Sequence, residues 1–331
     1  MWTKEENRLA LLELYQTGRL HLRDRQQEAW RLLTELTWTR VSGRRDEIVL
    51  VEERRAELEQ LLTRTWPEWR AALARLQNSG QSVNTRGWRT LRDRERAEAS
   101  GPLPPRLNLR SATALVGPHS KAGLSVERRE ALADVDLTRD GLVRLRPNAG
   151  LTIERDGCVL DTSLVVGVLH EVVLTERALR DGARLAGTLP RALLLVENLG
   201  PYLDLCAPEG WLVAHVPGWD TVTVRLLMEQ MPSIPLIHFG DLDPNGVRIA
   251  LHLRTAQPHI YWFVPEFWNE FVKERSLPRL WPDSLCLDHA PSLVRDLAKA
   301  GLWLEQETIA LDPRLSKALE NALRGNKDEA S

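Results

Sequence analysis

The chain is short of the residues that would tie it to several chemistries. Only three cysteines occur in 331 residues, Cys158, Cys206 and Cys286. They are far apart and odd in number, which excludes a disulfide framework and a zinc knuckle and points to a bacterial-type cytoplasm. No stretch approaches the length of a membrane span, and the polar start Met1-Trp2-Thr3-Lys4-Glu5-Glu6 does not read as a signal peptide. No Gly-x-x-x-x-Gly-Lys-Ser/Thr phosphate loop is present, so the chain is not expected to hydrolyse ATP itself. No Gly-x-Ser-x-Gly elbow or Cys/His nucleophile arrangement stands out. Charge of one sign is also lacking: 44 Lys and Arg stand against 46 Asp and Glu, a formal net of −2. A globally basic nucleic-acid binder is excluded, so any such surface must be a local patch.

What is present is an ordinary globular composition, 43% hydrophobic and 27% charged, in a chain long enough for two or three cored domains. Its most informative stretch is Gly240-Asp241-Leu242-Asp243-Pro244-Asn245-Gly246. An apolar run, Pro235 to Phe239, precedes it and a helical pattern from Val247 to Leu253 follows. This is a strand, an acidic turn and a helix. Side chains two apart on a strand share a face, so Asp241 and Asp243 can converge. Asp243 suits the helix N-cap and Pro244 the first helical position. Two carboxylates forced together repel unless a cation lies between them, and oxygen ligands favour Mg²⁺, Mn²⁺ or Ca²⁺.

A second acidic strand end lies upstream. Arg191 to Asn198 is a continuous apolar run that finishes in Glu197, as expected of a strand covered on both faces. Between the two lie a strand pattern at Trp211–Val216 and a helical one at Thr221–Met228. Alternating strands and helices argue for a parallel sheet, whose ligands gather outside the strands' carboxyl ends. Glu197, Asp241 and Asp243 are therefore expected to meet. Two rival readings remain. An EF-hand would need a glutamate at the twelfth loop position, where His252 stands, and a helix where a strand precedes. An ordinary surface turn would use the same Asp, Pro, Asn and Gly residues, and Glu197 could merely cap the next helix.

A glutamate ending one strand and a D-x-D-x-x-G turn ending a later one resemble the Toprim fold of topoisomerases, primases and some nucleases. Val196-Glu197-Asn198, Gly240 to Gly246 and the late Leu304-Glu305-Gln306-Glu307 resemble more closely the D subunit of bacterial Wadjet defence systems, a relative of the topoisomerase VI A subunit. The match covers about residues 190 to 310, and His119-Ser120-Lys121 adds an echo. The resemblance implies a metal-dependent DNA endonuclease acting on invading circular DNA. Glu197, Asp241 and Asp243 would be its catalytic residues and its ligands for Mg²⁺ or Mn²⁺. Arg248, Glu305 and Glu307 are candidate supporting residues. Implied partners are double-stranded DNA, a second copy of the chain in a homodimer, and an SMC-type ATPase complex with its associated subunits.

The topoisomerase VI relatives attack DNA with a tyrosine on their winged domain, and here only Tyr15, Tyr202 and Tyr261 exist. Tyr15 falls on the apolar side of the first helix, and the other two fall within the Toprim-like part. Water is therefore the expected nucleophile. The alternatives are a non-catalytic DNA-binding or scaffold subunit and a topoisomerase VI A-like cleaving subunit.

The amino-terminal region reads as helices followed by a hairpin. Thr3 and Glu6 suggest a capping box for a first helix that Gly18 ends, and Arg23 to Glu35 suggests a second. Trp38–Val41, a Ser42-Gly43-Arg44-Arg45 tip and Glu47–Val51 form a two-stranded wing, a pattern that resembles a winged helix. Arg40, Arg44, Arg45 and Lys121 are candidate DNA-backbone contacts, with Arg144 and Arg146 as further residues that could line a DNA path. Trp66, Trp69, Leu73 and Leu76 recur at helical spacing as packing residues. The expected architecture is α/β. It comprises a winged-helix-like helical domain (1–78), a linker (79–106), a mixed α+β middle segment (107–188) and a C-terminal Toprim-like catalytic domain with a parallel sheet (189–325).

Overall fold

The computed structural model describes residues 2–44, 46–99, 101–130, 132–216, 218–219 and 221–328. Arg45 of the expected wing tip and Ser100 of the expected linker lie outside them. The chain divides into two units, Met1–Leu137 and Thr138–Ser331, so the boundary falls inside the 107–188 segment. Among the described residues no helix is long and apolar enough to cross a membrane.

In the first unit, the helix Glu5–Thr17 buries Leu9, Leu11, Leu12 and Leu14 and ends at Gly18, whose φ of 72° is the left-handed conformation glycine adopts freely. Its N-cap is Lys4, without a side-chain hydrogen bond, so the Thr3–Glu6 capping box does not form. The two strands expected of a hairpin pair: Thr39–Val41 runs antiparallel to Glu47–Leu50. A third strand, Arg19–His21, pairs on the other side of Glu47–Leu50. Three residues are too few to show a period of two, which is why it escapes a reading of the sequence. The helices Arg55–Thr65 and Trp69–Asn78 flank Pro67 and bury Leu58, Leu62, Trp69 and Leu76. The expected linker instead holds the helix Thr85–Ala99, anchored by buried Trp88 and Leu91 in the same core. Its dense charge masks that narrow apolar stripe.

The second unit is built on a six-stranded mixed sheet. We label its strands β1 (Leu142–Arg146), β2 (Val172–Thr175), β3 (Leu193–Val196), β4 (Leu212–His215), β5 (Leu236–Phe239) and β6 (Tyr261–Trp262). Their spatial order is β6-β5-β3-β4-β1-β2. β4, β3, β5 and β6 are parallel, while β1 is antiparallel to both β4 and β2. The aliphatic runs of β3, β4 and β5 feed alternate side chains into two cores. Leu194, Val196, Ile237 and Phe239 face one, and Leu193, Leu195, Leu212 and Leu236 the other. Burial on both faces explains why these strands read as continuous rather than alternating hydrophobic runs. The helices α1 (Leu199–Asp204), α2 (Val222–Glu229) and α3 (Pro244–Ala256) follow β3, β4 and β5. A separate three-stranded sheet contains Leu151–Arg155, Cys158–Asp161 and Arg184–Gly187. Arg144 pairs with Glu171, and Arg146 donates to the carbonyls of Tyr202 and Leu205. Both arginines therefore brace the unit instead of lining an open DNA path.

Candidate functional site

The register of β3 and β5 sets the site. Val196 lies opposite Phe239, so the next residues, Glu197 and Gly240, leave the sheet side by side, and the Glu197 N–H donates to the Phe239 carbonyl at 3.1 Å. Gly240 is required by this approach. A Cβ there would collide with Glu197 Oε2 and stand 3.0 Å from His238 Cε1. A Cβ on Gly246 would collide with the Asp241 carbonyl oxygen and stand 3.3 Å from Glu197 Oε2. The glutamate is thus folded over the acidic turn, as the order of the motifs predicted, and it does not cap α1, whose N-cap is Asn198.

Asp243 caps α3: its Oδ1 accepts the N–H groups of Asn245 at 2.8 Å and Gly246 at 2.7 Å, with Pro244 at the first position. Its Oδ2 lies 3.3 Å from Arg279 Nη2. Asp243 is 5% exposed, so the turn is not an ordinary surface loop. Asp241 is half-buried, and its Oδ1 accepts Asn198 Nδ2 at 2.9 Å and the Gln306 N–H at 2.7 Å.

A distant segment closes the other side. Leu242 and Leu304 form an antiparallel bridge, their N–H···O distances being 3.0 and 3.4 Å. This carries Gln306 into the interior, where its side chain accepts the Asn198 N–H at 3.0 Å and donates to the Phe239 carbonyl at 2.9 Å. Glu307 accepts from Asn198 Nδ2 at 3.1 Å, which joins it to the cluster through the same amide that holds Asp241. Glu305 is exposed, its carbonyl receiving the Thr308 hydroxyl. Arg248 is half-buried and meets Asn245 Oδ1 at 3.5 Å. Asn198 and Gln306 stand in the quoted motifs without an assigned role and Arg279 is not among them, because these roles arise only when segments remote in the chain meet.

The electrostatics follow from this crowding. Burial pushes the Glu197 carboxyl up to about 8, reinforced by the charges of Asp241, Asp243 and Glu307 and only partly opposed by the Asp241 N–H. Burial likewise raises Asp241 to about 6, against the lowering effect of its bonds from Gln306 and Asn198. Glu197 Oε2 is buried without a hydrogen-bond partner. His238, fully buried with neither ring nitrogen paired, is pushed down to about 4 by its burial. An orphaned carboxylate oxygen beside three further carboxylates fits a cation in charge and in donor type. The shell is not closed, however: among the described residues no group of three or more His, Cys, Asp and Glu side chains is arranged to hold a metal ion. Both Asp243 oxygens are engaged, by the α3 N-terminus and by Arg279.

Residues 162–264 match the family model described as Wadjet protein JetD, C-terminal. This stretch of the second unit is JetD-like. The JetD match takes in Glu197, Asp241 and Asp243 and ends before Arg279, Glu305 and Glu307. No curated protein matches the chain.

The remaining candidates belong to the first unit. Arg40 is exposed on the strand Thr39–Val41 and Arg44 in the turn that follows it, and Lys121 is exposed in another turn. Arg23, Arg25, Arg86, Arg89 and Arg128 line a separate cavity of about 760 Å³, together with Asp24 and Asp93. Tyr15 packs edge-on to Trp69 under the Arg55 guanidinium, half-buried against the apolar core. Tyr202 is fully buried and donates to Glu171 at 3.2 Å, its hydroxyl held well above the usual tyrosine range by burial.

Proposed function

We propose that the chain is the DNA-cleaving subunit of a Wadjet-type anti-plasmid system, a metal-dependent endonuclease that hydrolyses phosphodiester bonds of invading circular DNA. The observation that carries this reading is the folding of Glu197 over the Asp241–Asp243 turn with its Oε2 unpartnered. The JetD-like match over the same residues supports the system to which it belongs. In this reading the second unit is Toprim-like and residues 1–78 are winged-helix-like. Double-stranded DNA, a second copy of the chain and an SMC-type ATPase complex are its partners.

Glu197 and Asp241, joined by Asp243, would hold Mg²⁺ or Mn²⁺. When bound, such an ion neutralises the scissile phosphate and favours attack by water. The chain's own residues do the rest. Asn198 and the Gln306 N–H fix the Asp241 carboxylate, so that its second oxygen has a defined direction. Glu197 Oε2, buried without a hydrogen-bond partner, would complete the ion's shell or position the attacking water. A tyrosine nucleophile is disfavoured by the packing of Tyr15 and the buried Tyr202–Glu171 bond.

Supercoiled plasmid incubated with the full chain and Mn²⁺ tests the proposal. Nicking is expected, and Glu197→Gln and Asp241→Asn should each lower it to background while melting as cooperatively as the parent. Equal nicking by the variants would overturn it. The second reading, a non-catalytic DNA-binding or scaffold subunit, draws on the engagement of both Asp243 oxygens. It predicts no Mn²⁺-dependent rise in melting temperature, whereas a bound ion stabilises the fold that holds it.

A further inference from the structure

Arg279 is the cation of this acidic cluster, and its placement is built rather than incidental. Its Nη2 stands 3.3 Å from Asp243 Oδ2, the one oxygen of that carboxylate not committed to capping α3. Its N–H donates to the Gly301 carbonyl at 2.9 Å, and its guanidinium lies over the Trp303 ring with 5.5 Å to the centroid. The preceding residues, Leu277–Pro278, pair antiparallel with Leu302–Trp303, whose next residue, Leu304, bridges Leu242 in the acidic turn. One ribbon thus delivers both the guanidinium and the Gln306 turn to the carboxylates.

We infer that Arg279 is a built-in counter-ion that occupies the Asp243 ligand position and is displaced when a divalent cation binds. This rests on the cation reading given above and accounts for the incomplete shell. Asp243 is nearly buried, where a polar oxygen without a partner is costly. The Arg279 side chain is 38% exposed, so it can turn out to solvent when an ion of higher charge arrives. The guanidinium is weakly hydrated and always charged, which suits a resident that must be present before the ion and yield to it. Arg279 is therefore a positioning residue: it holds Asp243 Oδ2 in place, and it sets the affinity of the site by competition.

Titrating Mn²⁺ into the full chain, with free Mn²⁺ read from its electron paramagnetic resonance signal, tests the inference without recourse to activity. Arg279→Gln should bind Mn²⁺ about threefold more tightly than the parent, the effect of losing a partly exposed ion pair. Arg279→Lys, which keeps the charge, should stay near the parent. Glu197→Gln should bind weakly. Arg279→Met is read in the same way as the glutamine variant if that one does not melt cooperatively. Unchanged or weaker binding on neutralising Arg279, with binding still dependent on Glu197, would overturn this inference alone. Absence of Mn²⁺ binding by the parent would overturn the cation reading and this inference together.

Discussion

Gln306 accepts the N–H of Asn198 across 3.0 Å while its own N–H reaches Asp241 Oδ1 at 2.7 Å. A single residue thereby ties together the ends of β3 and β5, and its amide also receives no competition from solvent because it is fully buried. Gln306→Leu keeps the volume but leaves the Asn198 N–H without a partner and the Phe239 carbonyl with the Glu197 N–H alone. The expected cost is roughly 1–3 kcal/mol for the orphaned N–H. Urea denaturation followed by circular dichroism will measure it, and a loss below about 0.5 kcal/mol would show that these bonds are not formed.

Asp241 and Asp243 should separate in stability although both serve the same site. Asp243 caps a thirteen-residue helix, so Asp243→Ala is expected to cost about 0.5–2 kcal/mol from the lost cap alone. Asp241→Asn keeps the acceptor oxygen for Gln306 and removes a raised-pKa carboxyl, so the metal-free protein should be as stable as the parent or more so near neutral pH. Thermal melts of the two variants in chelator decide the point. The opposite order of stability would show that Asp243 does not act as the cap.

The metal-free protein should lose stability as pH rises. Glu197 has a folded-state pKa of about 8 against an ordinary value of 4.5, so the folded chain binds its proton more tightly than the unfolded chain does. Where the folded state holds more protons, stability falls with increasing pH. The favourable contribution is present in full below about 4.5 and is lost as pH climbs through about 8. Asp241 adds the same sign between 3.8 and about 6. Melting temperatures of Glu197→Gln and the parent, recorded in chelator from pH 5 to 9, should diverge steadily, the parent falling further. Parallel curves would contradict the raised glutamate.

The acidic turn was legible because its signals are local. Strand, N-cap, Pro244 and Gly246 follow one another within a dozen residues, and each has its own physical reason. Glu197 was legible because an aliphatic run ending in a carboxylate is unusual and a parallel sheet collects such ends on one edge. Arg279 and Gln306 were not, since a lone arginine after a proline and a glutamine between two glutamates carry no periodicity. Only the pairing of Leu277–Pro278 with Leu302–Trp303 and the Leu242–Leu304 bridge gives them meaning. The attention drawn by Glu305 was one residue off: the side chain that enters the site region between the two glutamates is Gln306, with Glu307 at its rim. Helix Thr85–Ala99 was hidden for a different reason, because two apolar anchors among many charges give too weak a stripe to read.

The Leu242–Leu304 bridge has a consequence during synthesis. Ribosomes deliver the chain from its amino end, and domains fold as their segments emerge. The acidic turn can form its strand and helix early, but Asp241 lacks its Gln306 donor until more than sixty further residues have been made. A nascent chain therefore carries an unfinished cluster, and whatever work it does must wait until Gln306 has been made and folded back.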